Sequence, residues 1–185
     1  MKRIFVAVDI SEEARRAASH YIESLRRQFP KLRVGWDKPE KLHLTLKFLG
    51  DTTEDKIGHL IAVVKQTAKD SRLFAPTLEG IGCFPSPRKA KVLWLGLRDE
   101  RGGLRQLFEN LESNAERAGF ARETRSFKPH LTIARIRESE NAKDVVRKFL
   151  QEEFEPVGFE VSELVIYESK LQPAGSIYKA IAREK

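Results

Sequence analysis

The stretch Lys41-Leu42-His43-Leu44-Thr45-Leu46-Lys47-Phe48 alternates apolar and polar side chains, so it reads as a β-strand with two unlike faces. Strict alternation sets Leu42, Leu44, Leu46 and Phe48 toward a core and His43, Thr45 and Lys47 away from it. The polar face offers an imidazole, a hydroxyl and an ammonium, and all three can touch a phosphate. The same grammar returns 87 residues later in Lys128-Pro129-His130-Leu131-Thr132-Ile133. The chain has four His and seven Thr. Composition alone makes two His-x-Thr pairs a coincidence of about one in a hundred. One copy is explained by any half-buried strand. Two copies in matching contexts read as the halves of one active site.

The surrounding elements repeat as well. Arg3 to Ile10 is predicted as a buried strand, and Ser11 as the N-cap of a helix with stripe Ala14, Ala17, Ala18, Tyr21, Ile22, Leu25 and Phe29, stopped by Pro30. The His43 strand ends at Gly50. Thr52 or Thr53 caps a second helix on Ile57, Leu60, Ile61, Val64 and Ala68, and a strand follows over about 74–84. Pro85-Ser86-Pro87-Arg88-Lys89-Ala90 is the candidate connection between halves. After it come a strand over 91–97, a helix on Leu104, Leu107, Phe108, Leu111 and Ala115, the His130 strand, and a helix on Val145, Val146, Phe149 and Leu150. Val157 to Tyr167 and Ser176 to Ala182 are predicted strands that Gln172-Pro173-Ala174-Gly175 joins as a hairpin. A shift of 87 lays Ile4–Val8 on Lys91–Leu95 and Thr53 on Glu140. The order β-α-β-α-β occurs twice, an internal duplication of structure. The expected architecture is α+β: one bilobal domain over 1–185, with pseudo-symmetric sheet and helix lobes, motifs near 41–50 and 128–136, and a central cleft holding both His.

Two imidazoles flanking one phosphorus can serve as general base and general acid. An unperturbed pKa near 6.5 lets one ring be neutral and the other protonated near neutrality. The threonines share the histidines' strand face and can donate to phosphoryl oxygens, while nearby Arg or Lys offset developing charge. This chemistry requires no metal. A metal reading would use the two His as ligands, but no carboxylate recurs beside them on the same strand face.

Charge agrees with an anionic substrate. The net charge is +7, and around the second motif Arg122, Arg125, Lys128, Arg135 and Arg137 stand against Glu123 alone. The single Cys83 excludes an intramolecular disulfide or a cysteine-based zinc site and suits a reducing compartment. Asp9 interrupts the first apolar run, and no stretch approaches the roughly 20 apolar residues of a membrane span. A cytoplasmic protein is expected.

At these motifs the chain resembles the 2H phosphoesterase superfamily, named for paired His-x-[Ser/Thr]-x motifs, and within it the RNA 2′,3′-cyclic phosphodiesterases, or 2′-5′ RNA ligases. The resemblance includes Arg3-Ile4-Phe5-Val6-Ala7-Val8, Trp36, Leu46-Lys47-Phe48-Leu49-Gly50, Val92-Leu93-Trp94-Leu95-Gly96, Phe127-Lys128-Pro129-His130 and Glu168-Ser169-Lys170-Leu171 with Gly175 and Tyr178. It implies a bilobal α+β fold and metal-free, cofactor-free hydrolysis of an RNA terminal 2′,3′-cyclic phosphate to a 2′-phosphomonoester. It also implies that His43 is the proton donor to O3′ and His130 the acceptor of water's proton, with Thr45 and Thr132 on the phosphoryl oxygens. The two motifs are near-equivalent, so sequence does not itself distinguish the two histidine roles. The family's arginine after the second motif maps to Arg135. Strict alternation puts Arg135 on the core side with Leu131 and Ile133, so it reaches phosphate only if the strand ends or bulges near Ala134. Lys47 has the right parity for phosphate.

Phe84, Trp36 and Tyr178 are candidates to stack a terminal base. Core packing is the competing reading of every aromatic here, and Trp94, mid-strand, reads as core. His20 and His59 read as surface histidines among polar helical neighbours. Expected partners are RNA ends with a 2′,3′-cyclic phosphate or related cyclic nucleotides, met by a monomer. Reversible 2′-5′ RNA ligation, hydrolysis of a small cyclic nucleotide, and a non-catalytic nucleotide- or RNA-binding module are the alternatives. The last predicts a damaged motif, and both are intact.

Overall fold

The computed structural model describes residues 1–30, 34–71, 74–136, 142–173 and 175–185. The expectations placed on Arg137, Glu140 and Ala174 fall outside them. The described residues form nine strands: β1 (Lys2–Asp9), β2 (Val34–Trp36), β3 (His43–Thr52), β4 (Thr77–Phe84), β5 (Val92–Arg98), β6 (His130–Ile136), β7 (Val157–Gly158), β8 (Leu164–Lys170) and β9 (Ile177–Glu184). They also form four helices: α1 (Glu12–Gln28), α2 (Glu54–Lys69), α3 (Gly103–Arg117) and α4 (Ala142–Phe149). None of these helices is long and apolar enough to cross a membrane.

Local chemistry accounts for the helices. The Ser11 side chain accepts a hydrogen bond from the Ala14 amide at 3.2 Å, capping α1 as its sequence requires. Glu12 and Glu13 then meet the positive end of the helix dipole. Ala14, Ala18, Ile22 and Leu25 are the buried stripe. In α2 the buried stripe is Ile57, Leu60, Val63, Val64 and Thr67; Val63 and Thr67 take the buried places expected of Ile61 and Ala68, which are half-buried beside it. In α3 it includes a charged residue, Glu112.

All strand pairings are antiparallel, in the order β7-β4-β5-β6-β3-β1-β8-β9. β5 occupies one edge of β6, so β2 and β3 lie end to end along the other. The architecture is α+β and bilobal, but the lobes do not divide at residues 85–90. That segment is a short turn within one lobe and joins β4 to β5 as direct neighbours, because short connections favour pairing of consecutive strands. β8, from the second half of the chain, pairs instead with β1. The first half thus gives β4 to the sheet of β5 and β6, and the second half gives β8 and β9 to the sheet of β1 and β3. The predicted strand 157–167 is two pieces, β7 at one edge of the sheet and β8 between β1 and β9 toward the other.

One core cluster joins Ile4, Val6, Val8, Leu42 and Leu44 to Leu93, Leu95, Leu131 and Ile133 and to the helix stripes. The other face of the sheet forms the cleft.

The register of the two central pairs repeats residue for residue. Val8, Ala7, Val6 and Phe5 of β1 face Leu44, Thr45, Lys47 and Phe48 of β3. Leu95, Trp94, Leu93 and Val92 of β5 face Leu131, Thr132, Ala134 and Arg135 of β6, each number higher by 87. Both ladders slip at the same place, leaving Leu46 and Ile133 as the extra residues of β-bulges. A bulge inserts one residue and reverses the face of everything after it. Lys47 is therefore buried and Phe48 exposed, the reverse of the alternation expectation. Ala134 is buried and Arg135 exposed for the same reason. A second slip leaves Leu49 extra, and β3 runs past Gly50, at φ +67°, to Thr52.

Candidate active site

His43 and His130 open their strands at the point where β3 meets β6. The ladder there is Leu44 against Leu131. Continued one residue each way, this register sets His43 opposite Thr132 and Thr45 opposite His130. The two His are then diagonal neighbours on one face, about 7–8 Å apart between Cα atoms in a regular sheet. Both line one open cleft of about 790 Å³, with Thr45, Thr132, Arg135, Phe84 and Tyr178.

Each imidazole is oriented in the same way. His43 Nδ1 lies 2.6 Å from the Lys41 carbonyl, and His130 Nδ1 lies 2.7 Å from the Lys128 carbonyl. A carbonyl only accepts, so Nδ1 carries the proton in both rings and Nε2 is left for other partners. In His43 that nitrogen is 3.1 Å from the Thr45 hydroxyl, which donates to it in this tautomer. Arg15 of α1 donates to the carbonyls of Pro39 and Leu42 at 2.5 and 3.0 Å, fixing the turn that presents His43.

Aromatic rings wall both imidazoles. Phe5 stacks on His43 at 4.9 Å, and Tyr178 meets it edge-on at 5.1 Å. Phe84 meets His130 edge-on at 4.8 Å. Burial pushes the His43 pKa down to about 4 and lowers that of His130; the Arg135 charge lowers both further. Hydrogen bonds to the two carbonyls, and the Asp9 charge at His43, oppose this.

Arg135, Phe84 and Tyr178 thus line the cleft with the two histidines, Arg135 because of the bulge at Ile133. Lys47 and Trp36 do not. Lys47 is 4 % exposed and points away from the cleft. Its ammonium donates to both Glu112 carboxylate oxygens at 2.7 and 2.9 Å and to the Ala121 carbonyl at 2.8 Å. Trp36 pairs in register with Ala134, on the helix-facing side, and packs against the core. Trp94, expected in the core, shares the face of Thr132 and lies 6.4 Å from His130. Its ring covers Gly82 and closes against Gly96, where any Cβ would collide with the indole or the Glu79 carbonyl. His20 and His59 are exposed on their helices.

The basic window is less free than its sequence suggests. Arg122 pairs with Glu116 at 2.9 Å and Arg125 with Glu123 at 2.7 Å. Hydrogen bonds from Arg125 pull the Glu123 pKa down to about 2. Lys128 and Arg135 remain in the cleft, joined by two cations that sequence reasoning passed over, Arg3 and Lys41. Asp37 also lines the cleft; burial raises its pKa, which the Arg135 and Lys41 charges counter. Arg3, Phe5 and Phe48 were legible only through the Arg3–Val8 and Leu46–Gly50 segments that carry the family resemblance.

Comparison with known proteins agrees with this arrangement. Residues 13–172 match the 2′-5′ RNA ligase superfamily. An RNA 2′,3′-cyclic phosphodiesterase of Thermotoga maritima is 34% identical over 181 residues, covering 97% of this chain and 92% of that protein. The crystal structure of TT0787 of Thermus thermophilus superposes with a TM-score of 0.79 at 26% identity, over 98% of this chain and 96% of that one. Escherichia coli LigT complexed with 3′-AMP gives 0.75 at 28% identity over the same shares. The chain belongs to the 2′-5′ RNA ligase superfamily of 2H phosphoesterases.

Proposed function

We propose that the protein hydrolyses the terminal 2′,3′-cyclic phosphate of RNA to a 2′-phosphomonoester, with His43 as proton donor and His130 as proton acceptor. The observation that carries this reading is the pair of imidazoles, each tied through Nδ1 to the carbonyl two residues before it, that face one cleft from strands in a shared register. The activity in the name of the Thermotoga relative and the nucleotide bound to LigT support the substrate class.

In the reaction, His130 Nε2 takes a proton from water as the oxygen bonds to phosphorus. The P–O3′ bond breaks on the opposite side, and O3′ takes the proton on His43 Nε2. Thr45, Thr132 and Arg135 hold the phosphoryl oxygens and offset the charge that develops there. Burial favours the neutral form of both rings. The substrate monoanion favours the protonated form of the donor ring, and Asp9, register partner of His43, adds a second negative charge. The roles assigned to these residues need no metal.

Ligation in a 2′-5′ linkage follows the same path with a 5′-hydroxyl in place of water: that oxygen bonds to phosphorus as the P–O3′ bond breaks, and water's concentration favours hydrolysis. The proposal extends to one bilobal domain over 1–185 with a motif in each lobe, acting as a monomer in the cytoplasm. The lone Cys83 suits a reducing compartment. Incubation with RNA bearing a 2′,3′-cyclic end is expected to yield a 2′-phosphate. An unchanged end, or a 3′-phosphate, overturns the reading or the assignment of the leaving oxygen.

A further inference from the structure

The bulges at Leu46 and Ile133 bring two equivalent residues to the cleft, and these differ in kind: Arg135 in one strand, Phe48 in the other. Arg135 suits an anion. Phe48 is an aromatic ring left 60 % exposed on a cleft floor. It is not isolated, because Phe5 lies between it and the site, stacked on His43 at 4.9 Å and tilted against Phe48 at 5.9 Å. An unbroken line of rings therefore leads outward from His43. Beside it, two residues from Phe5 on the same strand face, stands Arg3, exposed and lining the cleft. Among the described residues no carboxylate lies within ion-pair distance of Arg3. Tyr178 lines the same cleft. Leu171, 70 % exposed, also lines the cleft.

The geometry points to a second nucleotide subsite at Phe48 and Arg3, which takes the nucleotide preceding the cyclic-phosphate end, its base on the Phe48 ring and its phosphate on Arg3. The inference rests on the proposed phosphodiesterase reading and makes the substrate an RNA chain. An aromatic face suits any base, and the neighbouring cation suits the linking phosphate. The terminal base has nearer partners, Tyr178 and Phe84, each in contact with an imidazole. Phe48 is one ring further out, where the next base of a chain falls.

The test compares adenosine 2′,3′-cyclic phosphate with an adenylate dinucleotide ending in the same cyclic phosphate. Phe48→Ala is expected to lower kcat/KM for the dinucleotide about 10- to 100-fold and leave the mononucleotide unchanged. Phe48→Trp restores the dinucleotide rate and Phe48→Leu does not. Arg3→Ala reproduces the selective loss, with a weaker salt dependence. Both side chains are exposed, so the fold tolerates the changes. Equal losses on both substrates, or none, overturn the subsite. A wild-type protein inactive on both overturns the phosphodiesterase reading itself, a distinct outcome.

Discussion

Leu44 pairs across the sheet with Leu131, its own counterpart 87 residues further on. The approximate two-fold of the molecule therefore passes between these two leucines, and the motif residues on either side are exchanged by it. Both leucines are buried on the helix side, at 1 % and 0 % exposure. Their neighbours His43, Thr45, His130 and Thr132 then emerge together on the other face. The core contact and the site are two sides of one register.

Replacing either histidine should remove catalysis and spare the fold. His43→Ala and His130→Ala are each expected to lower turnover of a 2′,3′-cyclic mononucleotide by about 10²- to 10⁴-fold with an unchanged circular dichroism spectrum. A variant with near-wild-type rate excludes that histidine from proton transfer.

Arg135→Ala should lower kcat by about 10²- to 10³-fold, the usual cost of one lost transition-state donor. Arg135→Lys is expected to recover only part of the rate, since an ammonium lacks the planar fork. Full activity in the alanine variant would remove Arg135 from the phosphate site.

Lys47 should act on stability. Lys47→Met strands the buried Glu112 carboxylate and frees the Ala121 carbonyl, so a loss of about 3–5 kcal/mol is expected in urea unfolding. Glu112 also accepts the Glu123 amide at 2.8 Å, so the pair anchors the chain leading to Lys128. Lys47→Met/Glu112→Leu should regain part of the loss. A stable single variant with weakened phosphate binding would return Lys47 to the cleft.

Acid should weaken the fold through His43. Its folded pKa is depressed to about 4, against about 6.5 unfolded, so below pH 6.5 the unfolded chain binds the extra proton. The stability contribution is fully present above pH 6.5 and is lost as pH falls toward 4, by at most about 3 kcal/mol. His43→Gln should flatten the urea midpoint over this range; an identical pH slope in both proteins contradicts the buried neutral ring.

Chelation should leave the rate intact. Activity on the cyclic mononucleotide is expected to survive EDTA, and complete loss with recovery on added divalent metal would favour a metal mechanism.

Most helices and strands were legible because burial imposes a period. Ala14, Ala18, Ile22 and Leu25 recur at helical spacing, and Ile4 to Val8 is an unbroken apolar run. The two His-x-Thr pairs were legible because they repeat in matching contexts. The reach of that logic ended at Leu46 and Ile133. A bulge is a mismatch between two strands, and neither strand's own alternation records it. Lys47 and Phe48 were therefore assigned to each other's faces. Glu112 lay hidden in an apolar helix stripe because its partner is 65 residues distant. The pairing of β4 with β5 and of β8 with β1 was hidden too, since the element order alone suggested self-contained halves.

Local pattern, by itself, determined the elements, their duplication at an interval of 87 and the four residues that face one another at the cleft. Only the packed sheet decided which strand each half donates, where the ladders slip, and hence that Arg135 and Phe48 reach the cleft while Lys47 goes into the core. The reason is that side-chain periodicity belongs to a single strand, whereas register belongs to a pair, and a pair exists only once the chain has folded.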